Sequence, residues 1–188
     1  MPSLKTFAAV LVAAAVPTFA QAVDFNLAGG SGTTAKVTLT SGGITLNVTG
    51  PSLGSSLDLT TSSSGLGVST GLLDLPGIGD REALTLTFSQ QVSLSNLRLA
   101  DWDLTDKATL SWAGGSLNLA GDALLPTTGN EPLTNVVGSV FKLTGSGLVT
   151  TFKLNGVTAV AAVPEPSTYA LMALGLAGIA AIRRRTQG

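Results

Sequence analysis

From Val23 to Val163 the chain alternates apolar with small polar residues at a period of two. The pattern is clear in Lys36–Thr40, Ile44–Thr49, Leu84–Phe88, Val92–Leu99, Thr109–Trp112, Ser116–Leu119 and Val140–Thr144. It continues through Leu148–Leu154, and Val157–Val163 reads as a last strand. Successive side chains of a strand point to opposite faces, so this alternation describes strands with one dry face and one wet face. No amphipathic helix of useful length interrupts it. The separators are turn chemistry: Ser41-Gly42-Gly43, Gly114-Gly115, Gly145-Ser146-Gly147 and Asn155-Gly156. Asn-Gly between two apolar runs is a strong hairpin signal. Eight to ten short strands at this spacing predict an all-β fold, a single antiparallel β-sandwich or jelly-roll-like domain. Residues 50–79, rich in Gly, Ser and Pro, read as a long loop with little strand beyond Leu57-Asp58-Leu59.

Two apolar segments bracket this body. Residues 1–22 carry Lys5, then the apolar run Phe7–Val16, then Ala20-Gln21-Ala22. That order predicts a signal-peptide helix cut after Ala22, with Ala20 and Ala22 as the small residues of the site. Residues 163–188 open on Val163-Pro164-Glu165-Pro166-Ser167, where two prolines stop any preceding strand. Tyr169 to Ile182 follows without a charge, and Arg183, Arg184 and Arg185 close the segment as a cytoplasmic stop. As a helix the apolar run spans about 21 Å, short of a hydrocarbon core of about 30 Å. It therefore reads as a transient membrane helix rather than a permanent anchor. The domains are thus a signal peptide (1–22), a β ectodomain (23–162) and a terminal signal (163–188), itself made of a motif (163–168), a helix (169–182) and a basic tail (183–188).

Composition narrows the chemistry. The chain of 188 residues has no Cys and no His, which removes disulfides, thiolate or imidazole metal sites and the commonest general base. No Ser has a His partner, and no Gly-x-Ser-x-Gly elbow occurs. Between Val23 and Val163 lie six basic and ten acidic residues, a formal charge of −4. A mildly acidic body without a basic stripe argues against a nucleic-acid partner. Glu82 is the best proton donor for a glycoside hydrolase, but it stands beside Arg81 with no apolar pocket in view. The expectation is a body that is not an enzyme.

The densest acid cluster is Asp101, Asp103 and Asp106. Such oxygen ligands suit calcium, the one cofactor the chain suggests; a hydrated turn stabilised by Asx-turns is the other reading. Trp102 lies between two of the aspartates. Exposed, its ring could stack on a sugar; buried, it fills core. The two Thr-Leu-Thr copies, Thr38–Thr40 and Thr85–Thr87, lack the period that an ice-binding array needs and read as ordinary strand formers.

The terminal segment, with Pro164-Glu165-Pro166-Ser167, an apolar helix and an arginine block in that order, resembles the PEP-CTERM sorting signal of Gram-negative bacteria. The resemblance covers about one seventh of the chain. It implies export through the inner membrane, tethering there by the C-terminal helix, processing by the membrane enzyme exosortase, and delivery to the cell surface or extracellular matrix, often beside exopolysaccharide. The transient partners would be exosortase and the inner membrane, and a lasting one exopolysaccharide. Gly65-Leu-Gly-Val68 and the strands after it also resemble a module recurring among PEP-CTERM exoproteins, in which that tetrapeptide is a turn before an acidic loop. The functional expectations are a non-enzymatic structural or adhesive protein, a carbohydrate-binding module with a calcium-stabilised loop, or a hydrolase of matrix polymer.

Overall fold

A computed structural model describes residues 21–51, 58–69, 77–147, 150–162, 172–177 and 183. Residues 1–20 of the expected signal peptide, Ala20 among them, lie outside them, as do Val163–Ser167, Arg184 and Arg185.

The body is antiparallel β-structure, as the alternation predicts. Its strands are β1 (Ala22–Asn26), β2 (Gly32–Thr34), β3 (Lys36–Ser41), β4 (Ile44–Thr49), β5 (Asp58–Ser62) and β6 (Gly65–Ser69). They continue with β7 (Ala83–Trp102), β8 (Lys107–Trp112), β9 (Gly115–Ala120), β10 (Thr127–Gly145) and β11 (Lys153–Ala161). All eleven belong to one hydrogen-bonded sheet. This differs from the expected sandwich of two separate sheets, and the reason is the length of β7 and β10, at 20 and 19 residues. The two run side by side as a bent ribbon. The first half of β7 takes β4 as its other neighbour, and the second half takes β11. One half of the sheet is therefore β3-β4-β7-β10-β8-β9. The other holds β1, β11, β6, β5 and β2 with the far ends of the ribbon.

The bend comes from mismatched register. Val140 faces Thr87 and Gly138 faces Val92, so β7 spends more residues than β10 on the same stretch. The extra residues, Ser89 to Gln91, are all exposed. Bulges of this kind bend and twist a strand without ending it. Further bulges shift the phase of alternation, so Leu94 and Leu97 both face inward across Ser95 and Asn96.

The dry faces of both halves meet in one core. Phe25 of β1 packs edge-to-face on Phe88 of β7, and Phe88 on Phe141 of β10, with ring centroids 5.8 Å apart in each pair. The β3–β4 turn also lies against Val23 of β1. That turn is Gly42-Gly43 between the paired Ser41 and Ile44, with φ of 54° and 76°. Two positive φ values define a tight hairpin turn that glycine enters without strain.

Two expectations are corrected. Residues 50–79 contain the β5–β6 hairpin rather than one long loop, so Gly65–Val68 is strand and not a turn. Asn155-Gly156 lies inside β11 and turns no hairpin. In the tail, residues 172–177 are helical and exposed; the remainder of the expected helix 169–182 lies outside the described residues, and no helix among the described residues is long and apolar enough to cross a membrane.

Candidate functional site

The acidic cluster sits where β7 ends, the 103–106 loop turns and β8 begins. Between Leu99 and Trp102, β7 carries one residue more than β10. Asp101 absorbs it at φ 59°, a left-handed conformation that Asp tolerates better than most residues. The bulge flips the phase: Asp101 points to solvent, and Trp102 turns into the core. Asp101 Oδ2 accepts a hydrogen bond from Lys153 Nζ at 2.6 Å. Asp103 Oδ1 accepts from the Thr105 hydroxyl at 2.7 Å and the Thr105 N–H at 2.8 Å, closing an Asx-turn. Those two donors, the hydroxyl first, hold its carboxyl below the usual range. Asp106 is only 2% exposed. Its Oδ2 accepts from Asp103 N–H at 2.9 Å and its Oδ1 from Thr151 N–H at 2.8 Å. Burial pushes its pKa up in spite of both bonds.

The three aspartates therefore serve three separate structural tasks. Asp101 pairs with a lysine, Asp103 shapes a turn, and Asp106 ties that turn to the segment before β11. Among the described residues no group of three or more acids is placed to hold a metal ion. The calcium set read from the sequence is not assembled here, because a calcium ion needs its six to eight oxygens to converge.

Trp102 is likewise corrected as a sugar platform. It is 1% exposed, packs edge-to-face on Phe152 at a centroid distance of 4.9 Å, and donates Nε1–H to Glu131 Oε1 at 2.9 Å. A ring with no free face cannot stack on a pyranose. Other acids also tie backbone together. Glu82 Oε2 accepts from Gly79 N–H at 2.7 Å, and Asp80 Oδ1 from Gly147 N–H at 3.1 Å.

Sequence reasoning missed a polar strap between the first and last strands. Arg98 of β7 reaches across β11 and pairs with Asp24 of β1 through two bonds, Nη1 to Oδ1 at 2.6 Å and Nη2 to Oδ2 at 3.0 Å. Thr158 Oγ1 donates to the same Asp24 Oδ1 at 3.1 Å. Arg98 is the main reason that the Asp24 carboxyl titrates below the usual range. The guanidinium passes over Gly156, where a Cβ would collide with it. Asn155 Nδ2 also donates to Ser64 O at 3.0 Å, holding the β5–β6 turn. The available signal was an Asn-Gly inside an otherwise unbroken alternation.

The chain ends of the body meet at this strap. Ala22 opposes Val160 in the β1–β11 ladder, and β11 stops at Ala161. The expected cut after Ala22 thus falls at the first residue of β1, beside the point where the chain leaves for its terminal segment. Arg183, the described member of the arginine block, is helical and exposed.

An all-β body whose first and last strands pair, with a separate terminal segment following the last strand in sequence, is the class that these features define. The family described as the PEP-CTERM protein-sorting motif matches residues 162–185. The chain carries that motif, the recognition signal of exosortase, and is an exosortase-targeted exported protein. No curated protein matches it.

Proposed function

We propose that the mature body is a non-enzymatic structural or adhesive module of the extracellular polysaccharide layer, delivered to the cell surface or matrix after exosortase removes the tail. The observation that carries this reading is the pairing of β1 with β11. It gathers both ends of the body at one point next to the sorting motif and leaves the remaining surface free to meet the surroundings. The reading of the body as a non-enzyme is supported by the work its acids do: Asp101, Asp103, Asp106, Glu82 and Glu131 each hold a strand, a turn or a ring in place. The membrane stage is the short helix and Arg183–Arg185, with the signal peptide ending at Ala22.

The test is mass spectrometry of the protein collected from the surface and medium of exosortase-bearing cells, with an exosortase-deficient strain beside them. The expected product begins at Val23 and ends near Pro164–Ser167, and the deficient strain retains the full tail in its membranes. An intact C-terminus on the released protein overturns the processing step. Absence of the protein from the polysaccharide fraction overturns the matrix role.

A further inference from the structure

The six cations of the body divide into two sets. Arg81, Arg98 and Lys153 pair with Asp80, Asp24 and Asp101. Lys36, Lys107 and Lys142 form no ion pair among the described residues, and all three stand exposed on the outer face of the β3-β4-β7-β10-β8-β9 half.

The register fixes this placement. Lys36 opposes Thr49, Thr49 opposes Thr85, Thr85 opposes Lys142, Lys142 opposes Ser111, and Ser111 opposes Ser116. Directly opposed residues share a face, so one polar row crosses all six strands. Two residues further along, Thr38, Asn47 and Thr87 form a second row. The two Thr-Leu-Thr segments thus stand on the same face with β4 between them. Lys107 lies on the same face, because its neighbour Ala108 is buried inward. In the stretches that build this half of the sheet (residues 36–41, 44–49, 83–88, 107–112, 115–120 and 140–145) no outward position is Asp or Glu, although the body as a whole is acidic. None is aromatic or Arg either.

We infer that this face is a binding surface for an anionic polysaccharide, in which the unpaired lysines meet carboxylates of the polymer and the surrounding hydroxyl and amide groups meet its hydroxyls. Charge complementarity selects the occupant. Strands lie about 4.8 Å apart and rise about 3.3 Å per residue, which puts Lys36 and Lys107 each roughly 14 Å from Lys142. Charges so sparse suit a polymer that carries its acids among many neutral hydroxyls. A nucleic acid presents a phosphate at every residue and is bound through dense lysine and arginine sets with aromatic stacking, which this face lacks. Cross-strand bonds hold its groups in order, with Thr38 Oγ1 donating to Asn47 Oδ1 at 2.8 Å and Thr109 Oγ1 to Asn118 Oδ1 at 3.1 Å.

This inference rests on the matrix reading and names the face and the ligand class for it. The test is retention of the full chain, in mild detergent, on immobilised alginate, dextran and double-stranded DNA. Alginate is expected to hold it in a salt-sensitive manner, and dextran is not. The triple variant Lys36→Gln, Lys107→Gln, Lys142→Gln should bind alginate about tenfold more weakly, whereas Arg81→Gln should bind as the parent does. All four positions are exposed, and matching circular dichroism checks that each variant folds. Equal retention on dextran, undiminished binding by the triple variant, or stronger retention on DNA overturns the inference. Failure on alginate by a chain that still co-fractionates with the cells' own polysaccharide removes this face and leaves the matrix role standing. Lysine-dependent alginate binding by a chain found in no matrix fraction does the reverse.

Discussion

Two aspartates in this protein answer acid in opposite directions. Burial raises the pKa of Asp106 above its ordinary 3.8, so the folded chain holds that proton more readily than the unfolded chain. Its contribution to stability is complete below 3.8 and is lost as pH rises through the folded-state pKa. Arg98 lowers the pKa of Asp24, so the contribution of Asp24 is present above 3.8 and is lost as pH falls through its folded-state pKa. Urea midpoints measured from about pH 2.5 to about pH 7 should separate the two. Asp106→Asn should remove a decline in stability that sets in as pH rises above 3.8, and Asp24→Asn should remove a loss that sets in as pH falls below 3.8. Identical profiles for the parent and Asp106→Asn would contradict the assignment. The residue scale is also where the sequence misled most. Asp101, Trp102, Asp103 and Asp106 stand close together in the chain, and a ligand loop can be read into them. Only the bulge at Asp101 decides which side chains face inward, and a bulge leaves no mark on composition.

At the scale of elements, the hairpins were legible and the ribbon was not. Ser41-Gly42-Gly43 and Gly114-Gly115 sit where expected, because each lies between two alternating runs that pair in register. The run Ser89-Gln90-Gln91 reads as a break, yet β7 passes through it as a bulge. Gly129, Asn130 and Pro132 hide the first half of β10 in the same way. Apart from β7, that half has no second partner strand among the described residues, and a strand with one free edge tolerates proline. Asn155-Gly156 was misread because glycine is there for clearance rather than for a turn. Two substitutions measure this difference. At Gly121 a Cβ would meet the backbone carbonyl of Asp103, which has nowhere to go; at Gly156 it would meet the movable end of Arg98. Gly121→Ala should therefore cost more than about 3 kcal/mol, and Gly156→Ala about 1–2 kcal/mol. In an Arg98→Ala background Gly156→Ala should become nearly neutral by denaturant unfolding, since the collision partner is gone. A cost that persists there would mean that Gly156 is required for its backbone alone.

At the scale of the molecule, the body is a single core closed by its first strand. β1 pairs with β11 alone, and it carries Phe25, which is 1% exposed and joins the two halves of the sheet. Removing residues 23–27 should abolish cooperative unfolding, because it strips one side of β11 and empties a core position worth about 3–5 kcal/mol. Removing residues 163–188 should shift stability by less than about 0.5 kcal/mol, as the last strand, β11, is complete at Ala161. If both truncations cost the same, the tail would be part of the fold rather than an address attached to it.

The placement of β11 also has a mechanical meaning. It is the strand that continues into the tail, and β7 and β1 flank it through ladders on both sides. A tension entering through Ala162 pulls along β11. It loads both ladders in shear, many hydrogen bonds together rather than one after another. Arg98 Nε also donates to Asn155 Oδ1 and Thr158 Oγ1 to Asp24 Oδ1, so the strand that would be tugged is tied by side chains to both of its neighbours as well as by its ladders.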